Sequence, residues 1–161
     1  MLAPARPRPG LFTLRTAHAL AVLVPAALLA GAIGSQLIGG LVPCDMCIWQ
    51  RWPHAAALAL ALLAIPLVGQ RRLLVGLAAL GIAVSGAIGV YHAGVELGIF
   101  PGLTTCSTGS GTGLDAIMNG AIVRCDAVQW EFLGVSMAGW NAMVSLASAA
   151  VIAVGVVRGR A

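Results

Sequence analysis

The sequence contains very little charge, since charged residues make up 9% of its 161 residues and lysine is absent. A soluble domain carries about 25% charged residues, so this chain cannot cover a water-facing surface and is not an ordinary soluble globule. Its nine basic residues are therefore all arginine, and the net charge is +4. These arginines stand at the edges of apolar stretches and form no basic face, which argues against nucleic-acid binding.

Formal charge is missing altogether from four long stretches. They lie between Arg15 and Asp45, Arg51 and Arg71, Arg72 and Glu96, and Glu131 and Arg158. A membrane-spanning helix needs about 20 apolar residues, and each stretch approaches or exceeds that length. The sequence thus predicts an all-α integral membrane protein with a single domain, a bundle of four transmembrane helices at about residues 17–40, 50–68, 73–93 and 135–157.

Two of these predicted spans carry an ambiguity. The second is the weakest, because Pro53, His54 and Pro66 shorten its usable apolar length to about 17 to 19 residues. The first follows several arginines and resembles a signal peptide, with a possible cleavage site at 30–32. Its apolar run continues to Val42, too far for a short signal core, so it is interpreted as an uncleaved span.

The arginines also predict the orientation, because short loops rich in arginine stay in the cytoplasm. Seven of the nine fall on one side of the four-span arrangement, and only Arg51 and Arg124 fall on the other. Both termini should then be cytoplasmic, and the loops at about 41–49 and 94–134 should face outward. These loops contain all four cysteines, which suits an oxidising compartment such as the bacterial periplasm.

The first two cysteines form a Cys-x-x-Cys motif, Cys44 to Cys47. This spacing can close a small disulfide or hold two thiolates for a metal ion. No second motif of this kind accompanies it, and Ile48 excludes the haem attachment pattern, so no metal site is predicted. A structural disulfide fits the pair Cys106 and Cys125, which encloses a long loop, better than it fits a four-residue ring.

Two features would make the motif reactive. It stands where the second span begins, and a helix N-terminus favours the thiolate. Arg51 follows Cys47 by four residues on the same helical face and adds a cation. Arg51 could instead extend to the outer headgroups, and His92, near Glu96 at the outer end of the third span, could be a purely structural histidine.

The loop between the second pair of cysteines is rich in Gly, Ser and Thr over 105–113 and is predicted to be flexible. Residues 114–122 then show helical spacing of apolar residues, which suits a short amphipathic segment on the membrane surface or a buried loop helix. A mobile loop could exchange disulfides with a soluble protein and with the Cys44–Cys47 pair. Two disulfides in series would form an electron relay.

Three groups of residues together resemble a known family. They are the run Pro43-Cys44-Asp45-Met46-Cys47-Ile48-Trp49-Gln50-Arg51, the pair Tyr91-His92, and Cys106 with Cys125 followed by Gln129-Trp130-Glu131-Phe132-Leu133-Gly134-Val135-Ser136-Met137. In order and spacing they resemble the bacterial disulfide bond formation protein B (DsbB) family, and the resemblance covers essentially the whole chain.

The resemblance implies an inner-membrane oxidoreductase that reoxidises a periplasmic thioredoxin-like dithiol oxidase of the DsbA type. Electrons would pass to a membrane quinone, with ubiquinone as the favoured acceptor. The resemblance implies that the partner attacks Cys106, which pairs with Cys125, and that Cys44–Cys47 reoxidises this pair. Cys47 would engage the quinone as a thiolate, with Arg51 and His92 beside it.

Two other functions are compatible with the sequence. A relative of the vitamin K epoxide reductases would use a similar relay, although its cysteine pairs are ordered differently along the chain. A transport or structural membrane protein with inert disulfides belongs to a different class. It predicts that replacing Cys44 or Cys47 leaves function intact.

Overall fold

In the part of the chain that the structure describes, the fold consists of four α-helices, one 3-10 helix and two pairs of very short strands. The computed structural model describes residues 13–102, 107–108 and 122–159. The helices are α1 (Leu14–Leu37), α2 (Asp45–Leu63), α3 (Arg71–Glu96) and α4 (Met137–Arg158), and a 3-10 helix, Val68–Gln70, precedes α3. Strand β1 (Ser107–Thr108) pairs antiparallel with β2 (Ile122–Val123), and β3 (Glu131–Phe132) pairs antiparallel with β4 (Val135–Ser136).

Three of the helical segments are long and apolar enough to cross a membrane. They are Leu14–Leu37, Val68–Glu96 and Met137–Arg158. The chain is therefore a mostly helical membrane protein, as predicted. The strand pairs are a departure from the all-α prediction, and both lie between α3 and α4, where strand pairing satisfies backbone groups that lie outside these helices.

Helix α2 does not reach the same apolar content. Asp45, Gln50, Arg51 and His54 all fall in its first half, and the helix ends at Leu63, ahead of Pro66. A residue before proline is disfavoured in the helical region, which is consistent with this early end. The second predicted span, at about 50–68, therefore stays a prediction, as does the orientation of the bundle.

The alternating directions of the helices bring the start of α1, the end of α2, the start of α3 and the end of α4 together. We call this the alanine end, because most of its core residues are small. The core there consists of Ala17, Ala21, Ala57, Ala61, Ala64, Leu74, Val75, Ala78, Ala79, Ile82, Ala149 and Ile152. Small side chains let helix backbones approach closely, which is how helices associate in lipid.

Helix α3 is the central element of the bundle. Gly81, Ser85 and Gly89, small residues four apart along α3, lie at its contacts with α2 and α4. A Cβ on Gly81 would stand 3.2 Å from Ala57 Cβ on α2, and one on Gly89 would stand 3.0 Å from the Ala138 carbonyl on α4. Ser85 lies between them and donates a hydrogen bond of 2.8 Å to the Gln50 carbonyl.

The Phe-Leu-Gly part of the motif after Cys125 forms the turn between β3 and β4. Leu133 and Gly134 both have positive φ, 54° and 74°, as a two-residue hairpin turn of this kind requires. The turn holds Phe132 so that its carbonyl accepts a hydrogen bond of 3.0 Å from Trp140 Nε1. This hairpin leads directly into α4 and fixes the aromatic residues near its start.

Candidate active site

The Cys-x-x-Cys motif forms the N-terminus of α2. Cys44 is the N-cap residue, and its sulfur accepts a hydrogen bond of 3.3 Å from the backbone N–H of Cys47. Its thiol in turn donates to Cys47 Sγ at 3.0 Å. A disulfide requires a sulfur separation of about 2.05 Å, so small side-chain rotations suffice to join the two atoms.

The two thiols of this motif are unequal acids. Both precede the predicted span at about 50–68. The hydrogen bond to Cys47, together with burial, raises the pKa of Cys44 to about 12. The same hydrogen bond lowers the pKa of Cys47, and Arg51 adds a smaller effect in the same direction. Cys47 is therefore the more acidic of the two thiols.

Cys125 lies against the same motif. It is buried, and it packs in one cluster with Cys44, Met46 and Val95. The segment after strand β2 thus carries a third cysteine to the N-terminus of α2. Cys106, the fourth predicted site cysteine, lies outside the described residues, as does most of the predicted amphipathic segment 114–122. The predicted pairing of Cys106 with Cys125 stays a prediction.

His92 stands on α3 directly beside the motif. Its Nε2 lies 3.6 Å from Cys44 Sγ and 3.8 Å from Glu96 Oε1. Its Nδ1 lies 2.9 Å from Gln50 Nε2. Glu96 also accepts a hydrogen bond from the Ser136 hydroxyl, which caps α4. His92 therefore connects the cysteines to the ends of three helices.

Arg51 contacts α1. Its guanidinium donates 2.8 Å to Gln36 Oε1 and 3.1 Å to the Ala32 carbonyl, while its Nε is buried without a hydrogen-bond partner among the described residues. No carboxylate in the described part of the chain forms an ion pair with it. Its positive charge is thus held in place but not neutralised, which is what an anionic or electron-accepting ligand would need.

A cavity of about 530 Å³ opens beside these groups. This volume falls within the usual range of small-molecule pockets, about 300 to 1,000 Å³. Its wall combines apolar residues of α1 and indole rings with a few polar side chains. The chemically important lining residues are Cys44, Cys47, Arg51, His92, Trp130 and Trp140. Each cysteine, arginine and histidine predicted for the site within the described residues is at this cavity or in contact with Cys44.

A buried network of polar side chains at the cavity wall was not predicted from the sequence. Asn141 of α4 donates 2.7 Å to Gln50 Oε1, and His54 Nε2 lies 2.9 Å from Asn141 Oδ1. Ser145 donates 3.0 Å to the same Asn141 oxygen. The available signal was helical spacing, because Gln50 and His54 follow Cys47 by three and seven residues, and polar groups inside a span are costly unless they have a role.

The geometry also allows a metal site. Cys44 Sγ, Cys47 Sγ and one ring nitrogen of His92 all lie within 4.8 Å of one another. Thiolates and imidazole suit thiophilic ions, but structural zinc takes four protein ligands, and the described residues supply three in this group. Geometry therefore does not decide between redox and metal chemistry by itself.

Comparison with known proteins decides the question. The family model for Disulfide bond formation protein DsbB matches residues 14–155. The chain belongs to the DsbB family. Proteins named Disulfide bond formation protein B resemble it over most of both chains, and no solved structure matches it. Membership implies oxidoreductase activity in disulfide bond formation, so the Cys44–Cys47 pair is interpreted as a redox pair.

Three DsbB relatives show the extent of the likeness. The protein of Azoarcus sp. (strain BH72) is 32% identical over 148 residues, 84% of this chain and 87% of its own. That of Methylococcus capsulatus is 35% identical over 141 residues, 78% of this chain and 84% of its own. That of Xanthomonas euvesicatoria pv. vesicatoria is 34% identical over 153 residues, 83% and 84% of the two chains.

Proposed function

We propose that this protein reoxidises a periplasmic dithiol oxidase of the DsbA type and passes the electrons to a membrane quinone, with ubiquinone as the favoured acceptor. The observation that carries the proposal is the position of Cys44 and Cys47 in the wall of the cavity, together with Arg51 and His92. The cavity is large enough for an aromatic ring, and most of its wall is apolar, which suits a lipid-soluble ring.

A bound quinone would supply an acceptor for two electrons and two protons. The chain's own part is to release them: the Cys47 thiol gives up its proton when it ionises, and the Cys44 thiol gives up its proton as the bond between the two sulfurs forms and two electrons leave. The lowered pKa of Cys47 favours the anionic, nucleophilic form of its sulfur beside the cavity. Arg51, held by α1 without a counter-charge, favours negative charge that develops there.

The loop cysteines would connect this pair to the soluble partner. In the proposed relay, a partner thiolate attacks Cys106 and releases Cys125, and the partner's second thiol then completes its own disulfide. The reduced loop pair is reoxidised by the Cys44–Cys47 disulfide, which becomes a dithiol. The burial of Cys125 in one cluster with Cys44 supports this exchange, because the reaction requires direct approach of sulfurs.

The proposed activity requires the cysteine end of the bundle, where Cys44, Cys47 and His92 lie, to face the periplasm. We propose that α2 provides the second of the four predicted spans, the one at about 50–68. We also propose that both termini are cytoplasmic in the bacterial inner membrane. The arginine distribution supports this orientation. The polar first half of α2 is covered by α1, α3 and α4 through hydrogen bonds, which lowers the cost of placing it at membrane depth.

The test is quinone reduction by the purified full-length protein in detergent, followed by ultraviolet absorbance, with a reduced DsbA-type protein as the electron donor. Cys47→Ser should abolish the reaction, because the electrons leave through this sulfur. Arg51→Gln should slow it about 100-fold. Arg15→Gln is the matched control, because Arg15 is exposed at the start of α1, far from the cavity along the chain and in the bundle.

The proposal is overturned if the protein is folded, has both disulfides formed and still leaves the quinone oxidised. That outcome would favour inert structural disulfides. Retained activity in Cys47→Ser would overturn the assigned route through Cys47. The DsbB family match favours the proposed function over a relative of the vitamin K epoxide reductases.

A further inference from the structure

His54 is a polar side chain in the cavity wall that the proposed function does not use. It lies one helical turn beyond Arg51 on α2, about 4.5 Å farther along the helix axis. Both residues line the cavity. His54 is 3% exposed, and its Nδ1 is buried without a hydrogen-bond partner among the described residues. An unpaired buried polar atom on a residue that lines a cavity needs an explanation.

The hydrogen-bond network fixes which nitrogen of His54 carries the proton. Gln50 Nε2 donates 3.1 Å to the Met46 carbonyl, which can only accept, so the side-chain oxygen of Gln50 is the atom that faces Asn141. Asn141 Nδ2 donates to that oxygen, which leaves Asn141 Oδ1 to face His54. His54 must therefore donate from Nε2, and its Nδ1 holds a lone pair.

The surroundings keep this ring neutral. Its bonded partners are an amide oxygen and the hydroxyl of Ser145, and no carboxylate of the described residues pairs with it. Arg51, one turn away on the same helix, adds a cation that opposes a second positive charge. A buried charge without a counter-charge is costly. The free Nδ1 is consequently an acceptor and not a donor.

An acceptor at this place distinguishes two oxidation states of a quinone. The oxidised ring presents a carbonyl oxygen, which has only lone pairs and cannot donate to Nδ1. The reduced ring presents a hydroxyl group, which can donate. We infer that His54 is a second ring contact in the quinone cavity and that its Nδ1 accepts a hydrogen bond from the hydroquinone, so that the cavity binds the reduced form more tightly.

This inference rests on the proposed function, and it goes beyond it in assigning a redox-dependent role to a residue of this chain. By thermodynamic linkage, tighter binding of the hydroquinone favours reduction of the bound quinone. His54 thus acts on the direction of electron flow through a binding contact. It does not exchange electrons or protons with the ring in this role.

The experiment measures equilibrium binding of one short-chain benzoquinone and of its hydroquinone. The full-length protein carries Cys44→Ser and Cys47→Ser, so that no electrons are exchanged during the titration. Quenching of tryptophan fluorescence reports binding, because Trp130 and Trp140 line the cavity. The readout is the ratio of the two dissociation constants, which does not depend on turnover.

His54→Gln is the decisive variant, because the glutamine amide can still donate to Asn141 but places no acceptor at the position of Nδ1. It should weaken hydroquinone binding about tenfold and quinone binding much less, as expected for one lost hydrogen bond. His54→Asn keeps an acceptor near the position of Nδ1 and should retain most of the preference. Ser145→Ala, a neighbour in the network that does not line the cavity, should leave the ratio unchanged.

Equal weakening of both forms in His54→Gln, or no weakening of hydroquinone binding, would overturn the inference. If His54→Gln fails to fold, His54→Asn decides, and loss of the preference in a folded Asn variant overturns it as well. The proposed function is judged separately by quinone reduction in the protein with all cysteines present. Normal reduction together with an unchanged ratio in His54→Gln rejects this inference alone.

Discussion

The two ends of the bundle hold their helices together in different ways. At the alanine end, the buried core consists of small apolar side chains, and His18 supplies a polar contact by donating 2.8 Å to the Ala61 carbonyl near the end of α2. At the cysteine end, the buried contacts include amides, hydroxyls and two imidazoles joined by hydrogen bonds. The same four helices are thus packed by shape at one end and by polar pairing at the other.

Helix α2 shows the difference within one element. Its first half contains Gln50, Arg51 and His54, and its second half, from Ala55 to Leu63, is entirely apolar. Helices in lipid gain little from hydrophobic burial, so close packing of small residues is sufficient for association. Polar groups in the same position need complete networks. Their presence at the cysteine end therefore indicates a role in function.

The largest expected effect comes from replacing Gln50, the side chain at the centre of the hydrogen-bond network of the cysteine end. Gln50→Leu would leave His92 Nδ1 without its partner and would leave Asn141 Nδ2 with only its 3.3 Å contacts to Ser85. Because each unpaired buried group costs about 1 to 3 kcal/mol, the variant should lose about 3 kcal/mol of stability and more than tenfold in quinone reduction. Thermal unfolding in detergent and the absorbance assay measure the two losses.

The matched change for Gln50→Leu is Gln50→Glu, which keeps an acceptor for Asn141 Nδ2 but not the donor to His92. It should retain more stability than the leucine variant. If the leucine variant is as stable as the original protein, this hydrogen-bond network does not stabilise the packing of the helices at the cysteine end.

A smaller effect is expected from crowding the alanine end. A Cβ on Gly155 of α4 would stand 2.8 Å from Ala17 Cβ and 3.1 Å from the Thr13 carbonyl on the α1 side. Gly155→Ala should therefore destabilise the protein by about 1 to 3 kcal/mol while the folded fraction keeps its quinone reduction. Thermal unfolding and activity per folded molecule test this separation of stability from chemistry.

Gly76→Ala provides the control for Gly155→Ala, because a Cβ there would meet Val156 at 3.8 Å, an ordinary contact. Alanine is favoured over glycine in a helix, so this variant should be as stable as the original protein or slightly more stable. Equal destabilisation by the two alanines would contradict the close approach of α1 and α4.

The smallest expected effect concerns the acidity of the thiols. Alkylation by iodoacetamide needs the thiolate, so the rate at Cys47 falls as the pH falls through its lowered pKa. Cys47 should therefore react at a lower pH than an ordinary thiol, whereas Cys44 should stay unmodified until the pH approaches about 12. Mass spectrometry of the reduced protein after short exposure identifies the modified cysteine.

Replacing one arginine at each end of the bundle tests whether the positive charge of Arg51 causes the acidity of Cys47. Arg51→Gln should raise the pH at which Cys47 reacts, because the cation favours the thiolate. Arg15→Gln at the alanine end should not change it. An identical profile in Arg51→Gln would mean that the field of Arg51 does not reach Cys47.

The predictable part of the site came from short spacings. Cys44, Cys47 and Arg51 lie within two helical turns, so their proximity follows from helix geometry alone. The contact between His92 and Cys44 is different, because 48 positions separate the two residues along the chain. The resemblance to DsbB proteins implied that His92 lies near Arg51, and the contact with Cys44 came from the tertiary structure.

The residues that were missed share one property. Gln50, His54, Asn141 and Ser145 each look like an isolated polar residue in an apolar stretch, and His54 was considered only as a residue that shortens a span. Their hydrogen bonds join α2 to α4 across 91 and 87 positions. A pattern within one helix carries no information about such partners.

The sequence by itself determined the class of this protein: its long uncharged apolar stretches predict helices in a membrane, since backbone groups in lipid must be satisfied within each segment. Its cysteine spacing and motifs identified the DsbB family. Only the tertiary structure decided that Cys125 packs beside Cys44 and that His54 keeps an unpaired nitrogen at the cavity. These features depend on which helix faces meet, and side chains from different helices fix that together.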